Sequence, residues 1–392
     1  MPVKIVLGLP YLSDGPLLKK AVALRAPVLV SANSFSRWKD LGPAPKGMEY
    51  SRAQWLAHEA RGTTGPITHG RKQRMREWEG WNLRPLKNAT SIEELWLDSA
   101  GFHMMFAEGG YPWTPEQYIF GLCAAYPWTR FSSLDLCVEE EIAHNRHEVN
   151  ERIAKTVRLN IKCHTLAEEA GLLDRLMPVI QGANADDYLR CFERLHPFIG
   201  DERLIGIGSM CRRKATGEDG IVSVVDALDR RLPKGVLIHM FGLKSDGAES
   251  VANMTERVYS IDSQAYGVRA RHIANDRRKE DPEFSKSNAF VAEVMASWYQ
   301  GQVRRMDRPR ARPIQNSLLL EMADRRQPSA IDVAVARAHA IFNELIERGD
   351  LAYDQIISDR WIEETVGEIL RGEHNHDDDG SDFPSESFPL AA

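Results

Sequence analysis

Five short apolar runs in the middle of this chain close on a polar or very small residue, and each is followed by a segment of helical character. The runs are Leu95 to Asp98, Phe131 to Asp135, Val179 to Gly182, Leu204 to Ser209 and Val258 to Asp262. Continuous apolar runs of this length mark strands buried on both faces, the habit of parallel sheets wrapped by helices. A polar residue at the C-terminal end of several such strands is how a (β/α)8 barrel builds its site. The predicted strands are 28–32, 95–98, 131–135, 177–181, 204–208, 236–241 and 257–262. Lys4 to Leu9 supplies a further one or forms an N-terminal hairpin. The expected fold is therefore an α/β (β/α)8 TIM barrel.

Helix starts support this register. Thr114-Pro115-Glu116-Gln117 offers an N-cap, a proline in the first turn and a glutamine at the third position, the pattern of a capping box. Asn184-Ala185-Asp186-Asp187 opens the helix after the Gln181 strand in the same style. Residues 40–92 are rich in Gly, Pro, Trp and Arg without a sustained period, and are expected to form a long insertion near the first strands. From 284 the pattern turns helical. Ile331, Val335, Ala338, Phe342 and Leu345 form an apolar stripe, and Ile362, Val366, Ile369 and Leu370 mark a last helix. The expected division is a barrel domain over 1–283, a helical C-terminal region over 284–372, and an acidic disordered tail over 373–392.

The chain has 392 residues and a hydrophobic content of 43%, enough for one large barrel with an appendage. No stretch is long and apolar enough to span a bilayer, and the start lacks signal-peptide regions, so a cytoplasmic protein without a membrane partner is expected. Cys123, Cys137, Cys163, Cys191 and Cys211 are scattered with no C-x-x-C pair, which argues against both a disulfide framework and a thiolate zinc site. The net charge of −6 is matched by the acidic residues of the tail, Glu373, Asp377, Asp378, Asp379, Asp382 and Glu386. The body is thus near neutral, with basic runs at 71–76, 212–214, 269–279 and 304–312. Such local patches, rather than net charge, capture phosphates.

Taken singly, a strand-end aspartate is an ordinary helix cap, and Phe102 or Phe241 an ordinary core residue. Their joint order is more specific. Two carboxylates and a carboxamide on one rim point to covalent substitution at a sugar carbon, the logic of retaining glycosidases. Asp98-Ser99-Ala100-Gly101-Phe102, Asp135 with Cys137, Ile180-Gln181-Gly182, Ile207-Gly208-Ser209, Phe241-Gly242, and Asp262 with Arg269 and Arg271 follow one another along the chain. This ordered set resembles the tRNA-guanine transglycosylase superfamily, whose barrel carries D-S-G-G-[FY]-Q, D-x-C, V-Q-G, I-G-G, M-G and D-C-V-x-P-T-R-x-x-R. The resemblance covers roughly residues 28–275. It implies Asp262 as nucleophile on C1′ and Asp98 as general acid/base. Asp135, Gln181, Gly208 and Ser209 would address the edges of the base. Phe102 would stack on one face, with Phe241 or Met240 and Gly242 near the other. Arg269 and Arg271 would meet phosphates flanking a flipped nucleotide.

The departures from the family pattern narrow the branch. The family's C-x-C-x-x-C…H zinc motif should follow the nucleophile, yet no cysteine occurs after Cys211. Ala100 stands where the motif has glycine, and His103 where it has glutamine. A zinc-free barrel is most similar to the DNA 7-deazaguanine transglycosylases of phages and bacterial DNA-modification clusters, which exchange guanine in DNA for a base such as preQ0. The expectation is therefore DNA as polymer, a free 7-deazaguanine as second substrate, no cofactor and no metal. Exchange in tRNA is the alternative within the class. A catalytically silent nucleic-acid-binding subunit and an unrelated barrel hydrolase are the rivals outside it. A homodimer or a partner protein is compatible with all of these.

Overall fold

The computed structural model describes residues 3–43, 74–105, 110–306 except 202, 212, 218 and 244, parts of 330–341, and 359–372. The chain forms two compact units: Met1–Gly65 with Gln73–Leu320, and Pro66–Lys72 with Glu321–Ala392.

The first unit is a parallel barrel. Its strands are β1 (Lys4–Leu9), β2 (Val28–Ser31), β5 (Leu95–Asp98), β6 (Arg130–Ser132), β7 (Leu176–Met177), β8 (Val179–Ile180), β9 (Leu204–Ile207), β10 (Leu237–Met240) and β11 (Val258–Ser263). They pair in the order β7-β6-β5-β2-β1-β11-β10-β9-β8. The two ends of that order, β7 and β8, are consecutive pieces of chain separated only by Pro178, whose nitrogen has no proton to give a neighbouring strand. Counted as one interrupted strand they close the ring, and the barrel has the eight strands of a (β/α)8 fold. Lys4 to Leu9, which the sequence leaves between strand and hairpin, is the strand that joins β2 to β11.

The helices outside the ring are α1 (Pro16–Ala23), α2 (Pro115–Gly121), α3 (Arg146–Glu169), α4 (Ala185–Ile199), α5 (Ile221–Arg231), α6 (Ser245–Met254) and α7 (Ala265–Glu280). The two expected caps form. Thr114 Oγ1 accepts the Gln117 N–H while the Gln117 side chain accepts the Thr114 N–H, and Asn184 Oδ1 accepts the Asp187 N–H. These caps fix where each helix starts and so where the loops above the strands end. A further helix, α8 (Asn288–Met306), packs against α1, α7 and β1 through Ala292, Met295 and Trp298. The barrel interior is filled rather than open: Val6, Leu29, Trp96 and Met177 pack together with Phe241.

The expected insertion over 40–92 is in part an antiparallel ribbon, β3 (Ser36–Pro43) with β4 (Arg74–Trp81), followed by a 3-10 segment Arg84–Ser91. Trp78 and Trp81 of this ribbon pack with Trp113. In the second unit α9 (Asp359–Arg371) is a helix with Thr365 buried, while Leu370, expected inside, is 49% exposed. Ile331 is likewise exposed, and among the described residues of that stretch Ala334 and Ala338 are buried. Of the expected stripe, Ala338 is thus inside and Val335 half-buried, while Ile331 is not covered. Phe342, Leu345 and the tail from 373 lie outside the described residues.

Candidate active site

The polar residues gather at the C-terminal ends of the strands. Asp98 ends β5, Gln181 follows β8, Gly208 and Ser209 follow β9, Phe241 and Gly242 follow β10, and Asp262 is the penultimate residue of β11. Asp135 sits three residues beyond the end of β6, because the strand stops at Ser132. Ser133 then turns its hydroxyl to Asn160 Oδ1 (2.6 Å) and accepts the Val179 N–H (3.0 Å).

Asp135 is buried and lies at the centre of a continuous network. Ser99 Oγ donates to its Oδ1 (2.8 Å) and Gln181 Nε2 to its Oδ2 (2.5 Å). The Tyr111 hydroxyl donates to the Asp135 carbonyl (2.9 Å), accepts its N–H (3.2 Å) and stands 3.1 Å from Ser99 Oγ. On the far side Ser209 Oγ donates to Gln181 Oε1 (2.7 Å) and accepts the Val138 N–H (2.7 Å). With its oxygen on Ser209, the amide of Gln181 must present its nitrogen to Asp135. Gly101 is required at its position: a Cβ there would sit 2.9 Å from both Asp135 Oδ1 and the Tyr111 hydroxyl. Burial raises the Asp135 pKa, and the hydrogen bonds from Gln181, Ser99 and Tyr111 oppose that rise.

Asp98 and Asp262 have different surroundings. Asp98 keeps part of its surface open, accepts the Ala100 N–H on Oδ2 (3.0 Å) and is hydrogen bonded by Ser31. Its deep setting, then the negative charges of Asp135 and Asp262, push it up to about 7. Asp262 is 7% exposed, and its Oδ1 accepts the Gly242 N–H at 2.9 Å. Beneath it lies His239, fully buried, with Nε2 3.3 Å from Asp262 Oδ1.

Phe102 lies half-buried in the short helical turn Gly101–His103 that follows Asp98. Phe241 points into the barrel, edge-on to His239 with ring centres 4.7 Å apart and packed over Gly206, so it belongs to the floor of the bowl. Two cavities flank the carboxylates. One of about 350 Å³ is lined by Ser209 together with Glu139, Arg213 and Lys214. The other, of about 1140 Å³, reaches from Gly242, Ser263 and Gln264 past Arg269 and Arg271 to Arg305. Neither has Asp98 or Asp262 in its lining.

Sequence reasoning missed Ser31, Tyr111 and His239, and quoted Ser99 within its motif without giving it a role. Ser31 closes an apolar run as Asp98 does, and His239 interrupts one, so both carried a signal. Tyr111 carried none, because it reaches Asp135 from a loop.

A family model described as DpdA, DeoxyPurine in DNA protein A, matches residues 66–291, more than half of the chain. This chain belongs to the DpdA family. The match includes every strand from β5 to β11 and with them Asp98, Asp135, Gln181 and Asp262, while β1 and β2 precede it. A comparison with curated proteins found no match. Among the described residues no group of three or more His, Cys, Asp or Glu side chains is placed to hold a metal ion. No helix among them is long and apolar enough to cross a membrane.

Proposed function

We propose that this DpdA-family chain exchanges guanine in DNA for a free 7-deazaguanine of the preQ0 type, through a covalent deoxyribosyl ester on Asp262. The observation that carries the reading is a pair of carboxyl groups at strand ends on one rim in unlike settings: Asp98, set deep beside the charges of Asp135 and Asp262, and Asp262, held by a backbone N–H. Paired carboxylates in unlike environments are the mark of divided acid and nucleophile roles.

An Asp262 oxygen attacks C1′ of the target nucleotide. The C1′–N9 bond breaks, its electron pair goes to N9, and the Asp98 carboxylic acid gives that nitrogen a proton, so that guanine leaves neutral. The incoming base then loses its N9 proton to the Asp98 carboxylate and attacks C1′ through N9. The ester C–O bond breaks and Asp262 is restored. Two inversions give net retention, and Asp98 ends protonated as it began.

The Asp135 oxygens, each already accepting one hydrogen bond, have lone pairs left for the N1–H and exocyclic amine of guanine. The second N–H of Gln181 is the donor for O6, with Gly208 and Ser209 along the same edge. Phe102 covers one face of the base, and Phe241 with Gly242 forms the floor. To reach this bowl the nucleotide must leave the helical stack. Arg269 and Arg271, in the cavity beside Gly242, suit the phosphates on either side of it. No zinc enters this scheme: the segment after the nucleophile is the continuous helix α7, and no cysteine follows Cys211. All these groups fall within 1–283, and α8 of the segment that follows packs on the barrel.

The test is capture of the ester on a denaturing gel. The protein is mixed with guanine-containing DNA or with tRNA, alongside Asp262→Asn. An adduct on DNA that disappears in Asp262→Asn is expected. An adduct on tRNA alone would move the activity to RNA.

A further inference from the structure

His239 stands at an inward position of β10, opposite Ser260 of β11, and none of its surface reaches solvent. Its ring lies 5.2 Å from that of Trp96 and 4.7 Å from that of Phe241. Nδ1 is 2.8 Å from Ser260 Oγ, while Nε2, which has no hydrogen-bond partner among the described residues, lies 3.3 Å from Asp262 Oδ1. A buried imidazole nitrogen without a partner is costly, and hydrogen bonds in resting active sites often tighten only once substrate is bound. The tautomer follows from charge. A lone pair on Nε2 would face a carboxylate oxygen, so Nε2 carries the proton and Ser260 donates its own to Nδ1.

We infer that His239 is a positioning residue for the nucleophile, oriented by Ser260 and aimed with the Gly242 N–H at a single oxygen, Oδ1, so that Oδ2 is the oxygen that attacks C1′. Among the described residues Oδ2 accepts no hydrogen bond, and a nucleophile needs that free lone pair. In the ester, Oδ1 becomes the carbonyl oxygen and keeps both donors. When the second base displaces Asp262, the departing carboxylate recovers its charge against those same donors, which is where preorganised dipoles lower a barrier. This inference rests on the proposed role of Asp262.

The experiment compares His239→Leu, His239→Asn and His239→Gln with the full-length wild-type protein. It reads the first-order rate of adduct formation at saturating DNA, the DNA dissociation constant and the melting temperature. Gln places an amide nitrogen where Nε2 lies, and Asn places one where Nδ1 lies. The expected result is a rate lowered about 10²-fold in Leu and Asn, the usual effect of a misplaced reacting group. DNA affinity should stay unchanged, and Gln should recover roughly tenfold over Leu. A folded Leu variant at the wild-type rate, or a folded Gln variant as slow as Leu, overturns the inference. Nitrogen-15 spectra of histidine-labelled protein read the contact independently of activity. A proton on Nε2, with a resonance that moves in Asp262→Asn, supports it, and a proton on Nδ1 overturns it. If the wild type forms no adduct on DNA, the base-exchange reading falls instead, and the spectra still decide the contact.

Discussion

The rim has two sides that treat their polar atoms differently. On the side of β5, β6, β8 and β9, Ser99, Tyr111, Asp135, Gln181, Ser209 and the Val138 N–H form one chain in which each member has a partner before any ligand arrives. On the side of β10 and β11, Asp262 has one good hydrogen bond, one long approach from His239 and an oxygen left open. A fully satisfied buried network is rigid and specifies one geometry, which suits reading the edge of a planar base. A carboxylate that must form and release a bond gains nothing from being saturated. On the proposed reading, recognition and chemistry are separated in space as well as in role, with Asp98 feeling the charge of both Asp135 and Asp262.

The largest test of that separation is Asp262→Asn, expected to lower adduct formation by on the order of 10⁴-fold or more while leaving DNA binding intact in a filter assay. A residual rate within tenfold of wild type would place the nucleophile elsewhere. Next is Asp98→Asn, with an expected loss of 10²–10⁴-fold in exchange, the usual range for a general acid/base. Its stability should move the other way. The Asp98 carboxyl holds its proton up to about 7 in the folded chain against an ordinary 3.8, so the folded state binds the extra proton between those values. The contribution of Asp98 to stability therefore falls as pH rises from about 4 to about 7. Asp98→Asn should melt higher than wild type at pH 8, by on the order of 2–4 kcal/mol, and the difference should vanish near pH 4.

A smaller effect probes the recognition side. Gln181→Leu strands Asp135 Oδ2 and the Ser209 hydroxyl and is expected to cost about 1–3 kcal/mol. Asp262→Asn should leave the melting temperature nearly unchanged. Equal losses in the two variants would erase the contrast between the sides. The smallest effect concerns backbone shape. Ala100 and Ser209 are held at φ +69° and +55°, in the left-handed region that favours glycine. Ala100→Gly should stabilise by about 1 kcal/mol in a melting experiment. Ser209→Gly relaxes the same strain but loses hydrogen bonds to Gln181 and Val138, so it should destabilise instead.

Those two positions also show what the sequence conveys and what it withholds. Ala100 and Ser209 depart from glycines in the motifs they resemble, yet the backbone keeps the glycine-like conformation. The letter changed and the shape did not. The strands were legible because parallel strands buried on both faces are written as unbroken apolar runs. The run at Lys4 to Leu9 was ambiguous because strand and hairpin arm share that pattern, and only its pairing with β2 and β11 decides. The carboxylates were legible because they close such runs. The Tyr111 contact was not, since it depends on where a loop returns to the barrel. Asp135 was expected to end its strand and instead lies in the coil beyond it, where the Ser133 hydroxyl donates to Asn160, 27 residues on in a helix.

Pairing β1 with β11 has a consequence for how the molecule is made. Val6 aligns with Asp262, so about 250 residues must leave the ribosome before the first strand meets its second neighbour. At 5–20 residues per second that is roughly 10–50 s during which the ring stays open, with an apolar edge on β1 in search of a partner. Asp262, the proposed nucleophile, arrives on that last strand. A nascent chain therefore carries Asp98 for about 160 residues of synthesis, and Gln181 for about 80, before Asp262 appears, so that closing the barrel and completing the proposed site are one event.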